Sequence, residues 1–288
     1  MLLMMGLAVP STEAQDTYLG VLEDVPSATG GSSFRSVRVV FRKDGTDWRA
    51  LPDCPDSDCM RREYPHQVAW TIAFDGRELG HVTGRTREDF SYLYQVGLQE
   101  IVSTGPIPTV GKRSRDYAGW MGDALFRPLV ANSQPYVGDP ESWKPSQPSA
   151  EHVRLLRQEF HRKFPKLCRV SKQDETKLEP LPSRDENIRV VKAYASNRGW
   201  AVARLHLAGA ISCEDLEAGF EMGDPWFTIN PEHSVQYLGQ DIWLLDAGDY
   251  DNDGRSEVVF VIEGYNRGGY ELFYDDFRKH AIFEYSYH

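Results

Sequence analysis

The sequence lacks the familiar signatures of catalysis and of nucleic-acid binding. No GxSxG, HExxH, Walker-type or GxGxxG pattern occurs along its 288 residues. Lys and Arg number 32 against 43 Asp and Glu, no basic run forms a patch, and the net charge is −11. A phosphate backbone is repelled by such a charge balance, so we expect no nucleic-acid partner.

Long apolar runs are also absent. The apolar segment at residues 2–9 is shorter than the ~20 residues that a membrane helix needs, so no membrane span is expected in the mature chain. Ala14 is typical of the residue before a signal-peptidase site, although the basic start of a signal peptide is missing. Residues 1–14 are therefore either a signal peptide truncated by a start codon placed too far downstream, which we favour, or a frayed N-terminus. The first interpretation predicts a secreted or periplasmic protein.

Cysteine is scarce, and its spacing does not match a zinc site. Cys54 and Cys59 lie in CPDSDC, Cys168 and Cys213 stand apart, and no CxxC pair occurs. An even count in an exported protein is typical of two disulfides. Of the three pairings we favour Cys54–Cys59 with Cys168–Cys213, and four buried thiols in a cytosolic protein are the alternative.

The composition favours strands and turns, with 24 Gly, 17 Pro and 12% aromatic residues. Strand-like segments occur at 36–41, 68–74, 79–82, 92–102, 188–195 and 200–207, whereas the breakers in 105–148 predict irregular structure packed by aromatics. We expect a mainly β fold of antiparallel meanders. It comprises an N-terminal β-rich region at 15–148 and a helix plus C-terminal β region at 149–288, joined in one continuous fold.

One helix is predicted at about residues 150–164. Ser149 can cap its N-terminus, and an apolar stripe from Val153 to Phe164 recurs at helical spacing before Pro165. The stripe either docks a partner or covers the core, and its periodicity favours the core.

The most distinctive segment is an acidic loop, DYDNDGRSE, at residues 249–257. Three alternating Asp residues precede a glycine, and a Glu follows at the ninth position. Ca²⁺ takes about six to eight oxygens, and alternating Asp residues in a turning backbone direct several of them at one centre. Gly254 permits the sharp turn. Four carboxylates repel one another without a cation, which favours a calcium site over an ordinary Asp/Asn/Gly turn.

The EF-hand is excluded because the twelfth loop position is Phe260 and the flanking segments are strand-like. A strand, a DxDxDGxx(D/E) loop and a second strand resemble the calcium loop of FG-GAP repeats, as in integrin-α-type β-propellers, over residues 243–262. The resemblance implies a Ca²⁺ cofactor whose ligands are Asp249, Asp251, Asp253, the Arg255 carbonyl and Glu257. That family usually has Asp at the ninth position.

The last 50 residues predict a four-stranded antiparallel meander at 242–245, 258–263, 270–274 and 281–287, which is the arrangement of one propeller blade. No second DxDxDG copy occurs in the sequence. The fold is therefore either a small, divergent β-propeller of about five blades or a β-sandwich with one helix.

Other candidates for chemistry are scattered. His206 in an apolar strand is interpreted as structural. Glu263 and Glu271 flank a hairpin, and their two interpretations are a facing pair of carboxylates for glycoside chemistry and, the simpler one, a surface ion pair of Glu271 with Arg267. Aromatics suited either to stacking on a sugar or peptide or to turn packing are Trp120, Trp143, Tyr265 and Tyr270.

Two functions remain. The favoured one is an exported calcium-binding β-protein with a structural site, which either recognises a protein or carbohydrate ligand or holds an envelope structure. The alternative is a secreted or periplasmic hydrolase stabilised by calcium.

Overall fold

A computed structural model describes residues 16–25, 34–87, 95–111, 126–136, 138–172, 177–213, 222–264 and 266–286. The possible signal peptide at 1–14 lies outside these ranges. The helices are α1 (Ser57–Glu63) and α2 (Ala150–Lys163). The strands are β1 (Tyr18–Val25), β2 (Phe34–Asp44), β3 (Asp47–Ala50), β4 (Gln67–Phe74), β5 (Arg77–Thr86), β6 (Leu98–Ile101), β7 (Leu129–Asn132), β8 (Lys144–Pro145), β9 (Leu167–Val170), β10 (Leu178–Pro180), β11 (Arg189–Ala195), β12 (Ala201–His206), β13 (Ile211–Ser212), β14 (Trp226–Ile229), β15 (Val235–Gly239), β16 (Ile242–Gly248), β17 (Glu257–Gly264), β18 (Arg267–Tyr274) and β19 (Lys279–Ser286).

The N-terminal strands form a closed, six-stranded antiparallel barrel. β1, β7, β4, β5, β6 and β2 pair in that order, β2 pairs back with β1, and β3 extends from β2. Side chains fill the interior, as expected for a small barrel. The indole nitrogen of the fully buried Trp70 donates to Gln99 Oε1 at 2.9 Å. Gly84 provides the room, because a Cβ there would lie 2.8 Å from that nitrogen.

The C-terminal strands β16–β19 form the predicted four-stranded meander. Its second strand alternates between two cores: Val259 and Val261 pack with barrel residues, whereas Val258, Phe260 and Ile262 pack with residues of the five-stranded sheet β15-β14-β12-β11-β8. The meander is thus covered on both faces. Burial on both faces explains why this strand reads as a continuous apolar run.

The helix α2 covers the opposite face of the five-stranded sheet, where Leu156 and Phe160 are fully buried. Its apolar stripe therefore belongs to the core, and its bounds confirm the predicted helix. The smaller sheet β10-β9-β13 lies nearby in sequence, and the Cys168–Cys213 disulfide connects β9 with the end of β13. The second disulfide joins Cys54 and Cys59, so both favoured pairings are present. Two disulfides are typical of an oxidising compartment.

The mainly β, antiparallel class is confirmed, but the described strands form a barrel and layered sheets rather than a propeller. The barrel closes through β7, a four-residue strand inside the stretch that was predicted to be irregular. Closure removes exposed sheet edges, which a propeller protects by radial repetition instead. The structure also adds a second helix, α1, which Asp56 caps. Its seven residues are too few to show helical periodicity. None of the described helices has the length and apolarity required to cross a membrane.

Candidate metal centre

The acidic loop connects β16 and β17, which are antiparallel strands as the sequence predicted. It packs on the segment that follows β7. The Asp249 backbone nitrogen donates to the Gly138 carbonyl at 3.0 Å, and Asn132 Nδ2 donates to the Tyr250 carbonyl at 2.8 Å. The loop therefore lies where the barrel meets the meander.

Three of the predicted ligands converge. One carboxylate oxygen from each of Asp249, Asp251 and Glu257 lies within 4.8 Å of the other two. Asp249 and Glu257 are each only 3% exposed. Asp253 is outside this group, and its Oδ1 accepts from the Arg255 backbone nitrogen at 2.9 Å. The arrangement can hold a metal ion through three oxygens.

Backbone donors shape the loop around these carboxylates. Asp249 Oδ1 accepts from the Asp253 nitrogen at 3.0 Å, and its Oδ2 accepts from the Gly254 nitrogen at 2.9 Å. Glu257 Oε2 accepts from the Tyr250 nitrogen at 2.8 Å. Gly254 has a φ of +87°, the conformation for which a glycine was expected.

The electrostatic balance of the loop is strongly negative. Three carboxylates converge and Asp253 follows in the same loop, and the ammonium that contacts the group is that of Lys43, on Asp251. Burial raises the pKa of Glu257 well above its ordinary value, and the charge of Asp251 adds to the rise. Burial also raises the pKa of Asp249, although the Gly254 and Asp253 amides oppose the shift. A bound cation would favour the charged forms of both groups.

Further buried polar groups lie near the loop. Asp246 is buried within β16, where its Oδ1 accepts from the Asp75 nitrogen at 3.1 Å. Burial raises the pKa of Asp246 to about 7. Within the described part of the chain, Asp246 Oδ2 and the hydroxyls of Tyr136 and Tyr250 have no hydrogen-bond partner. Polar groups left without partners thus cluster at this junction.

The other carboxylate candidates do not form a catalytic pair. Glu271 lies opposite Phe260 on the sheet, whereas Glu263 lies three residues further along β17 and so on the other face. The expected ion pair is also wrong, because Glu271 contacts His280 Nδ1 at 2.6 Å and Arg267 pairs instead with Glu284. Register, rather than proximity in sequence, decides both partners.

The remaining candidates that are described each have a partner within the fold. His206 Nδ1 lies 2.8 Å from Asp224 Oδ1, so its imidazole is paired with a carboxylate. Tyr270 is buried and donates to Glu23, and Trp143 packs against Phe277. These two aromatics therefore serve packing. Trp120 and Tyr265 lie outside the described residues.

One arrangement escaped the sequence analysis. Ser183 Oγ lies 3.2 Å from His161 Nδ1, and His161 Nε2 lies 2.7 Å from Asp185 Oδ1. The Asp185 side chain is 66% exposed. No motif links these residues, since His161 lies in the last turn of α2 and the other two follow 22 and 24 residues later.

Comparisons with protein-family models, curated proteins and solved structures found no match. A function for this chain therefore rests on the geometry of its own sites.

Proposed function

We propose that the chain is a secreted or periplasmic protein that binds Ca²⁺ in the loop of residues 249–257. The convergence within 4.8 Å of carboxylate oxygens from two buried residues, Asp249 and Glu257, and from the half-buried Asp251 is the observation that carries the proposal. Ca²⁺–oxygen distances of about 2.3–2.6 Å place oxygens on opposite sides of the ion roughly 5 Å apart. The set contains only oxygens, which suits Ca²⁺ better than zinc. Asp253 and the Arg255 carbonyl would complete the shell, as the FG-GAP resemblance implies.

The ion would be structural, because the loop connects several parts of the fold. Ser256 Oγ in the loop donates to Asp139 Oδ1 at 2.6 Å. Glu141, two residues after Asp139, accepts at its Oε1 from Nη1 of Arg198, between β11 and β12 of the five-stranded sheet, at 2.9 Å. Neutralising the loop would stabilise these connections together. The protein would then act through recognition of a protein or carbohydrate ligand.

Isothermal titration with Ca²⁺ tests the proposal. We expect binding to the wild type, with Mg²⁺ binding more weakly because it demands a smaller octahedral shell. Asp251→Asn and Glu257→Gln should each abolish binding. Asp44→Asn is a matched control, since Asp44 pairs with Arg49 at the surface and its loss changes the net charge equally. Absence of binding to the wild type at millimolar Ca²⁺ would refute the proposal.

The second candidate is a hydrolase stabilised by calcium, and the Ser183–His161–Asp185 contacts support it. A serine beside an imidazole that is oriented by a carboxylate is the arrangement of an activated nucleophile. The exposure of Asp185 weighs against it, because such sites usually exclude water. A fluorophosphonate probe that labels the wild type but neither Ser183→Ala nor His161→Ala would favour this function. If the wild type is not labelled, the serine-hydrolase function is rejected and the calcium-binding protein stands as the proposed function.

A further inference from the structure

Lys43 reaches the candidate metal centre from a distant part of the chain. Its backbone is fixed in β2, where its nitrogen donates to the Thr17 carbonyl at 2.8 Å and its register partner across the hairpin is Trp48. Its ammonium contacts Asp251 Oδ2 and lies 5.3 Å from the centroid of the Trp48 ring. The side chains of Lys43 and Asp251 are only 17% and 4% exposed.

A metal ion bound to Asp251 would lie close to the Lys43 ammonium, because both cations would contact the same carboxylate. An ammonium lies about 2.8 Å from the oxygen that it contacts, and Ca²⁺ lies about 2.4 Å from its ligand oxygen. Two cations on one carboxylate repel each other, and partial burial leaves this repulsion poorly screened. Occupancy by one cation therefore disfavours the other.

We infer that Lys43 is a built-in competitor for the metal ion, which sets the calcium affinity and releases Asp251 when the ion binds. This inference rests on the proposed function. Because the Lys43 backbone is held in the barrel sheet, only its side chain has to move. Calcium binding thus replaces a link between the barrel hairpin and the loop with an ion inside the loop, and it removes the ammonium from the face of Trp48.

The test compares calcium dissociation constants of the wild type, Lys43→Met and Lys279→Met at equal ionic strength. Methionine keeps the length of the side chain without its charge. We expect Lys43→Met to bind Ca²⁺ about tenfold more tightly, since it removes a partly buried repulsion. Lys279→Met is the matched control, because Lys279 pairs with Asp47 in an exposed position and its loss changes the net charge equally. Its affinity should stay within about twofold of the wild type.

Tryptophan emission provides a second measurement. Calcium should change the emission of the wild type, because the ammonium leaves the Trp48 ring, and this change should be smaller in Lys43→Met. Circular dichroism checks that Lys43→Met folds. If it does not fold, Lys43→Gln is used in its place.

Unchanged or weaker calcium binding by a folded Lys43 variant would overturn the inference while leaving the calcium site intact. If neither the wild type nor the Lys43 variants bind Ca²⁺, the proposed function fails and the inference fails with it. The two failures are therefore distinguishable.

Discussion

Two buried acidic sites flank the barrel–meander junction, and they are neutralised differently. At the first, Glu23 accepts from Arg38 Nε at 2.8 Å and from the Tyr270 hydroxyl, while the guanidinium lies 4.0 Å from the centre of the Tyr285 ring. At the second, the acidic loop brings three carboxylates together, and one of them, Asp251, contacts the ammonium of Lys43. The first site balances its charge with its own side chains, and the second does not.

The difference separates structural polar sites from candidate binding sites. Burial alone would lower the pKa of Arg38, but the Glu23 carboxylate outweighs it and the net shift is upward. A pair of this kind needs no external partner. At the loop, by contrast, burial leaves the carboxylates of Asp249 and Glu257 with raised pKa values. The excess negative charge of the acidic loop is the feature that a bound cation would offset.

The largest effect is expected at the balanced site. Arg38→Met should lower the free energy of unfolding by about 3–5 kcal/mol, because it leaves Glu23 buried without its counter-ion. Urea denaturation at pH 7 measures the change. The double variant Glu23→Gln/Arg38→Met should recover part of the loss. A single variant within 1 kcal/mol of the wild type, on the order of an exposed pair, would show that the site is not a buried ion pair.

An intermediate effect is expected at Asp246, whose carboxylate makes no ion pair with any described residue and whose burial the charge of Arg127 offsets only in part. Its folded-state pKa is raised to about 7, so between its ordinary value near 4 and pH 7 the folded state holds a proton that the unfolded state releases. Stability should therefore fall as pH rises through this window, by roughly 1–3 kcal/mol. Asp246→Asn keeps an oxygen for the Asp75 nitrogen but cannot titrate.

Urea denaturation with EDTA, from pH 4.5 to pH 8, tests that prediction. The wild type should lose stability relative to Asp246→Asn as the pH rises. Parallel curves for the two proteins would mean that Asp246 ionises normally.

The smallest effect is expected at the outer rim of the loop. Arg255 lies 3.3 Å from both Asp275 and Asp276, and its side chain is 43% exposed. Water screens such pairs, so Arg255→Ala should cost less than about 1 kcal/mol, and added salt should reduce the difference further. Thermal denaturation at low and high salt measures it. If Arg255→Ala lowers the free energy of unfolding by more than about 2 kcal/mol and added salt does not reduce the loss, Arg255 is part of the buried charge network rather than an exposed ion pair.

Local patterns made several elements predictable. The helix at 150–163 shows a cap and a periodic stripe, and the meander shows apolar runs separated by turn residues. The acidic loop was recognisable because its carboxylates are close in sequence. Strand β7 was missed because four residues between breakers carry too little signal, and the barrel closure that depends on it was missed too. Ion-pair partners such as Glu271 with His280 were missed because strand register decides them.

The sequence by itself determined the antiparallel β class, the acidic loop with its glycine turn and the α2 helix, since each depends on residue types at short spacing, whereas the number of cysteines indicated two disulfides without fixing their pairing. Only the tertiary structure decided that the barrel closes, that the meander is covered on both faces, and that Lys43 meets Asp251 across 208 residues. Such contacts form when distant strands pack together. Their energies depend on burial and on neighbouring charges, which no local pattern of residues encodes.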